Sequence, residues 1–393
     1  MSNQTPIESI CDVPNISSQP LPFLHLSALD SLRGLAALYV CLNHTLHQAN
    51  IDDTKFPKLL VLFLKSFDFA SYAVVLFIVL SGFCLMLPIL RNGGQLRNSV
   101  KSFFIRRARR ILPPYYAALI LALVLNYTLI GQPDEGLWNK SLPITTHSIV
   151  THLLLIHDLF KDDIFKINSP FWSIAVEWRI YFFFPVLVIA WKKWGGLTTT
   201  LTTLGISFLL FSVLSRTSFF NPEPPGPALH FFFFFTGGML AAETVFSETE
   251  WGTQLRKNIP WTLLACILLM LAIPASSIRY MQGISWILSD LLAGLAGMAL
   301  LVAVLAFRSH PLNTFLTWNP LVKMGSFSYS IYLIHMPLMQ VFLQYVSHPL
   351  HLQPIFELMF VFAVGVPLVI SISYLFFLLA EKPFLSQRAK QSL

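Results

Sequence analysis

Charge is scarce in this sequence. Asp, Glu, Lys and Arg make up 11% of 393 residues, 55% are hydrophobic and the mean hydropathy is +0.65, which excludes an ordinary soluble domain and places the chain in a bilayer. Cysteine is scarce too: Cys11, Cys41, Cys84 and Cys266 are scattered and mostly sit inside apolar stretches, so they suggest neither a disulfide framework nor a zinc site, and no metal is expected. Short alternating segments of a membrane β-barrel are missing. No hydrophilic stretch is long enough for a second folded domain, and no convincing internal repeat of the kind that builds many transporters is present. The first 28 residues lack the basic region, apolar core and cleavage site of a signal peptide; with Pro14, Pro20 and Pro22 they are expected to form a polar cytoplasmic tail.

What is abundant is apolar length. Ten stretches approach the roughly 20 residues needed to cross the hydrocarbon: 29–47, 71–90, 113–130, 170–191, 197–214, 228–243, 261–277, 286–307, 326–346 and 357–379. The expected fold is all-α, a polytopic membrane protein with about ten transmembrane helices and both termini cytoplasmic. Residues 1–28 are the tail, 29–384 the transmembrane domain and 385–393 a short cytoplasmic C-terminal tail. The net charge of +7 does not point to nucleic acid, because with this topology 16 basic residues fall in inside loops and 8 in outside loops, as the positive-inside rule requires. The longest outside connection, 131–169, contains "THSIVTHLLLIHDLF", whose apolar spacing suggests a surface helix that could lid a site. The run "HFFFFFTGG", 230–238, needs only lipid contact and close helix packing to explain it.

The polar exceptions are the candidate site. Arg33 and His44 are eleven residues apart in "LDSLRGLAALYVCLNHT", so on a helix they share a face at depths differing by about 16.5 Å. Ionisable groups are costly on a lipid-facing surface, so each should face a cavity or a partner; Asp30, one turn before Arg33, can pair with it. In "FFIRRARRILPPYY", 103–116, four arginines within five residues serve either as a topology and headgroup anchor or as a phosphate dock, with Pro113 and Pro114 starting the next helix. In "FWSIAVEWRIYFFFP", 171–185, Glu177 lies about two turns inside its span with Ser173 on the same face. With opposite span directions, His44 and Glu177 fall at similar depths and could meet. Ser81, in "LFIVLSGFCL", brings a hydroxyl to mid-membrane, and Ser328, Tyr332 and His335 share one helical face.

In this order the residues resemble the acyltransferase 3 family of integral membrane acyltransferases. The likeness runs from "LDSLRGLAALYVCLNHT" through "VLSGF", "RRARRILPPYY", "HLLLIHDL", "FWSIAVEWRIYFFFP" and "SYSIYLIHMPL" to "EKPF", about residues 28–384. The family's basic residue, ten residues, histidine signature falls on Arg33 and His44. Its R-x-x-R motif falls on Arg107 and Arg110, although Arg106 and Arg109 have the same spacing; its tryptophan-serine-x-x-x-glutamate element falls on Trp172, Ser173 and Glu177. The resemblance implies ten transmembrane helices and transfer of an acyl group, usually acetyl, from cytoplasmic acyl-CoA to a hydroxyl on a carbohydrate or lipid-linked acceptor. Some members carry a C-terminal hydrolase-like domain; this sequence ends at 393 without one, so transfer is expected to be completed by the membrane domain or a separate partner.

The expectation is therefore a multi-pass O-acyltransferase of the cell (inner or plasma) membrane, acting on a cell-envelope glycan, with acyl-CoA, expected to be acetyl-CoA, as donor substrate and no permanently bound cofactor. Arg33, Arg107 and Arg110 would hold the donor phosphates. His44 would act as general base or as the nucleophile that forms an acyl-histidine, oriented by Glu177. Asp30, Ser81, Ser173, Tyr332 and His335 would support the site, with an arginine, Tyr332 or a backbone N–H steadying the oxyanion. The rival from another class is a proton-coupled secondary transporter of an organic anion, in which the same charges form a binding path.

Overall fold

The structure, a computed structural model, describes residues 23–96, 99–131, 136–214, 228–279, 285–307 and 310–385. The expected N-terminal tail to residue 22, the C-terminal tail from 386, and Arg97, Arg216, Arg308, Arg388 and Lys390 of the charge count lie outside the described residues. Every regular element described is helical, with no strand among the described residues. In chain order the first eight helices are α1 (Phe23–Ala49), α2 (Lys58–Lys65), α3 (Ala70–Leu90), α4 (Val100–Leu125), α5 (Thr146–Leu153), α6 (Phe171–Trp194), α7 (Gly196–Leu214) and α8 (Phe231–Phe246). The second eight are α9 (Glu250–Asn258), α10 (Trp261–Arg279), α11 (Ser285–Ala306), α12 (Leu312–Leu316), α13 (Asn319–Ser326), α14 (Ser328–Phe342), α15 (Pro354–Phe360) and α16 (Val366–Phe376).

Each of the ten apolar stretches falls on a helix. By length and composition six helical segments can cross a membrane, namely Lys58–Leu90, Val100–Ile130, Phe171–Trp194, Gly196–Val213, Ile287–Ala306 and Pro354–Phe384. A seventh arises if α9 and α10, bent by 69° at their junction, count as one span. The other three stretches lie on α1, which carries Asp30 and Arg33, on α8, which has 16 residues, and on α14, which has 15. These helices make the chain a multi-pass membrane protein.

Two helix starts differ from the sequence reading. α1 begins at Phe23, six residues ahead of the expected span, where Phe23, Leu24 and Leu26 continue the apolar sequence ahead of Leu29. α4 begins at Val100 rather than at Pro113, with the Ser99 hydroxyl accepting from the Ser102 N–H at 3.3 Å, and it continues through both prolines. The arginine cluster is therefore one rigid piece with the span that follows it. Consecutive prolines remove two donors but do not stop a helix already braced on both sides.

Packing depends on glycine where helices cross. A Cβ on Gly82 would lie 1.9 Å from the Phe235 carbonyl oxygen, and one on Gly238 would lie 2.0 Å from that of Val79, so α3 and α8 touch backbone to backbone. This accounts for the small residues after the phenylalanine run. At one end of α1, Gly325 leaves room for the Asp30 carbonyl, 1.9 Å from where its Cβ would be.

The segment after α4 caps the opposite end of α1. Gly136 packs on the Gln48 carbonyl, and buried Trp138 packs with Met336 of α14. α5 opens with a reciprocal capping box between Thr145 and Ser148 and ends at Leu153, shorter than the expected surface helix, because Leu155 takes φ +52°. Its inner side is docked on the bundle. The Tyr115 hydroxyl donates to the His152 carbonyl at 3.0 Å, and Arg179 of α6 is ion-paired with buried Asp158.

Candidate active site

The helices α1, α3, α4, α6 and α14 enclose a cavity of about 230 Å³ lined by Arg33, Ser81, Arg107, Arg110, Ser173, Glu177 and Tyr332 among others. Seven of the ten residues singled out in the sequence thus meet in one space, although they come from five separate elements. The i, i+3 spacing of Arg107 and Arg110 turns both guanidiniums towards the cavity; Arg106 points away, donating to the Ser102 hydroxyl at 2.5 Å, and Arg109 is exposed outside the lining. This fixes which R-x-x-R register faces the cavity. Arg107 Nε is buried without a partner among the described residues.

Arg33 donates through Nη1 to Asp30 Oδ1 at 2.8 Å and through Nη2 to Cys84 Sγ at 2.8 Å. Asp30 thus holds Arg33 from the helix's own surface while the guanidinium reaches across to α3. On the far wall, Ser173, Glu177 and Tyr181 repeat every four residues of α6 and so share one face. The Tyr181 hydroxyl donates to Glu177, is 2.7 Å from the Ser81 hydroxyl, and its ring lies under Arg107 at 6.0 Å. The Ser173 and Tyr332 hydroxyls are 2.7 Å apart.

His44 and His335 lie beyond this chamber. His44 Nδ1 is 2.8 Å from His335 Nε2, and His335 Nδ1 is 2.9 Å from the Ile331 carbonyl oxygen. A carbonyl can only accept, so His335 carries its proton on Nδ1 and, when neutral, accepts at Nε2. His44 must then carry its proton on Nδ1, which leaves a lone pair on its Nε2. Tyr332 links the two regions: it lines the cavity, and its ring lies 6.1 Å from that of His335.

The pairing expected between Glu177 and His44 is not among the described hydrogen bonds. Glu177 is engaged by Tyr181, and the group that fixes the His44 ring is His335. Depth along a span follows from residue count, but the direction a face takes around the bundle does not. Among the polar residues of the lining, Tyr181, Tyr329 and Cys84 were not singled out as site residues in the sequence. Tyr181 had a signal, lying four residues after Glu177, and Cys84 lies three after Ser81.

In the segment that covers the histidine end of the bundle, His152 and His157 stack at 3.7 Å beside Asp158. Burial lowers the His152 imidazole to about 4 and holds His157 well below its usual range, with its neighbour His152 adding to the effect. Burial raises Asp158 to about 6, against the opposing pull of Arg179.

The fold and cavity define a helical membrane protein with a cationic chamber adjoining a histidine pair. A family model described as an acyltransferase domain matches residues 26–378, and the chain belongs to this acyltransferase 3 family. Among curated relatives, it is 24% identical to the peptidoglycan O-acetyltransferase OatA of Listeria monocytogenes over 67% of this chain and 44% of that protein. It is 26% identical to the acyltransferase MdmB of Streptomyces mycarofaciens over 42% of this chain and 40% of that one. An uncharacterized protein of Haemophilus influenzae is 25% identical over 39% of this chain and 63% of its own length. The chain therefore spans between two fifths and two thirds of these relatives. No solved structure matches it.

Proposed function

We propose that the protein is an O-acyltransferase of the cell membrane that moves an acyl group, in the simplest case acetyl, from cytoplasmic acyl-CoA to a hydroxyl of a cell-envelope glycan. The observation that carries this reading is the convergence of Arg33, Arg107 and Arg110 on one cavity whose wall residue Tyr332 has its ring 6.1 Å from that of His335, the partner of His44. In the topology this reading uses, all ten helical stretches cross the membrane, both termini are cytoplasmic and the arginine end faces inward.

The donor's phosphates dock on the guanidiniums, which bind phosphate oxygens through paired N–H donors. The cavity, about 230 Å³, is smaller than the roughly 300–1,000 Å³ of a drug-sized pocket, so it admits the slender pantetheine arm and leaves the nucleotide at its mouth. Eleven helical steps, about 16.5 Å of rise, separate Arg33 from His44, and an extended arm bridges such a distance.

At the far end His44 Nε2 takes the proton of the acceptor hydroxyl while that oxygen attacks the thioester carbonyl. The carbon–sulfur bond breaks, and the imidazolium returns the proton to the departing thiolate. His335 holds the ring in the tautomer that makes this possible. Attack by His44 Nε2 itself, through an acyl-histidine, uses the same lone pair. Tyr332, whose ring lies 6.1 Å from that of His335, would steady the oxyanion with its hydroxyl. Glu177 shapes the cavity from Tyr181 and Arg107 rather than from His44. The relative named as a peptidoglycan O-acetyltransferase supports a glycan acceptor.

The reading is tested by calorimetric titration of purified protein with a non-hydrolysable acetyl-CoA analogue. Arg110→Gln should weaken binding by about 1.5–3 kcal/mol, the cost of a charge-assisted contact, and a raised donor concentration should recover activity. Unchanged affinity in both Arg110→Gln and Arg33→Gln would remove the arginines from donor binding. Uptake of an organic anion into proteoliposomes without any acyl turnover would favour the transporter.

A further inference from the structure

A second concavity lies in the outer cap, away from the arginine chamber. It is an open cleft of about 700 Å³ whose lining includes Lys140, Lys161, Lys166, Phe165 and His147. Among the described residues its lining sets three ammonium groups against two carboxylates, Asp162 and Asp163, and Asp163 is already engaged, its Oδ2 accepting from Thr151 at 2.8 Å and lying 2.6 Å from His147 Nδ1. Lys166 is anchored by donating to the Leu142 carbonyl at 2.5 Å. Lys140 lies 6.0 Å from the Phe165 ring, and Lys161 is exposed.

The cleft is built on the segment that covers the histidine end of the bundle. Asn168, two residues after Lys166, donates to the Leu333 carbonyl at 2.7 Å, two residues before His335. Trp138, two residues before Lys140, packs on Met336, the residue after His335. At the other end of α1, Gly136 touches Gln48, one turn beyond His44. The cleft and the cover of the histidine end are thus built on the same two short segments, 136–140 and 166–168.

We propose that this cleft binds a carboxylate-bearing glycan, which is the acceptor whose hydroxyl reaches His44; this rests on the acyltransferase reading above. Separate lysines are point charges on flexible stems, suited to carboxylates spaced along a chain, whereas clustered phosphates favour the planar forks found at Arg107 and Arg110. The open shape admits a polymer passing through rather than an enclosed small molecule, and Phe165 offers an apolar face to a sugar ring.

The test uses the full chain in phosphatidylcholine nanodiscs, titrated with oligogalacturonate and with a neutral maltooligosaccharide of equal length. The acidic probe should bind at least about tenfold more tightly, the value of one charge-assisted contact, and the difference should shrink as salt rises. The double variant Lys140→Gln, Lys161→Gln should abolish the preference. Equal affinity for the two probes, or a preference that survives the double variant, would overturn the proposal. So would loss of the preference when phosphatidylglycerol is added to the discs, since the lysines would then be headgroup anchors. Binding is read without donor or turnover, so this result stands or falls separately from acyl transfer.

Discussion

Replacing His335 by leucine tests its contact with His44, a pairing that the sequence did not specify. The substitution keeps an apolar side chain of similar bulk in a buried position while removing the acceptor 2.8 Å from His44 Nδ1. Two losses follow. The hydrogen bond itself contributes about 1 kcal/mol net. Freeing the imidazole to rotate and to exchange tautomers costs about another 1–1.5 kcal/mol of order that must be restored in each turnover. Together they raise the barrier by about 2–2.5 kcal/mol, or about 30- to 70-fold in kcat, with donor KM unchanged because the arginine chamber is untouched. Glutamine retains an acceptor oxygen and should recover part of the loss. The assay is release of free CoA thiol by protein in proteoliposomes supplied with acetyl-CoA and cell-wall saccharides, with thermal unfolding measured alongside. A folded His335→Leu protein turning over within threefold of wild type would refute the positioning role of His335.

Other expectations concern the scaffold. Gly82→Ala places a methyl 1.9 Å from the Phe235 carbonyl, so α3 and α8 must part; overpacking of this kind costs about 1–3 kcal/mol and should lower the melting temperature of the detergent-solubilised protein, and an unchanged value would contradict the backbone contact. The segment around α5 should loosen in acid. His152, lowered to about 4 from 6.5, contributes about 3 kcal/mol above pH 6.5 that is lost as pH falls towards 4, and His157 acts in the same direction. Asp158, raised to about 6, acts oppositely, adding stability as pH falls from 6 towards 3.8, so one of the two imidazole contributions is offset. Amide exchange across Thr146–Leu153, corrected for intrinsic rates, should accelerate between pH 6.5 and 4; a flat or slowing profile would contradict the burial.

The sequence made the membrane helices legible because apolar length is a one-dimensional signal. All ten stretches fall on helices, and the identities of the cavity residues were readable because ionisable groups in apolar surroundings are rare. Shared faces within one helix were equally legible: Ser173 with Glu177, and Tyr332 with Ser328, follow from 3.6 residues per turn. Relations between helices were not. Glu177 was expected beside His44 from depth alone, whereas its described hydrogen bond is with Tyr181 on its own helix face, and α14 brings His335 to His44 instead. The start of α4 was misplaced because Pro113 and Pro114 read as a beginning; local propensity yielded there to the packing of Ile111 and Tyr115 in the core.

The central claim is that His44 performs the chemistry while the arginines only hold the donor. Turnover of radiolabelled acetyl-CoA by purified His44→Ala protein, at donor concentrations far above saturation, tests it most directly. The account predicts a folded protein with wild-type affinity for the acetyl-CoA analogue and acyl transfer reduced by at least about 10²-fold, the contribution of a general base. Near-normal transfer by His44→Ala would contradict it.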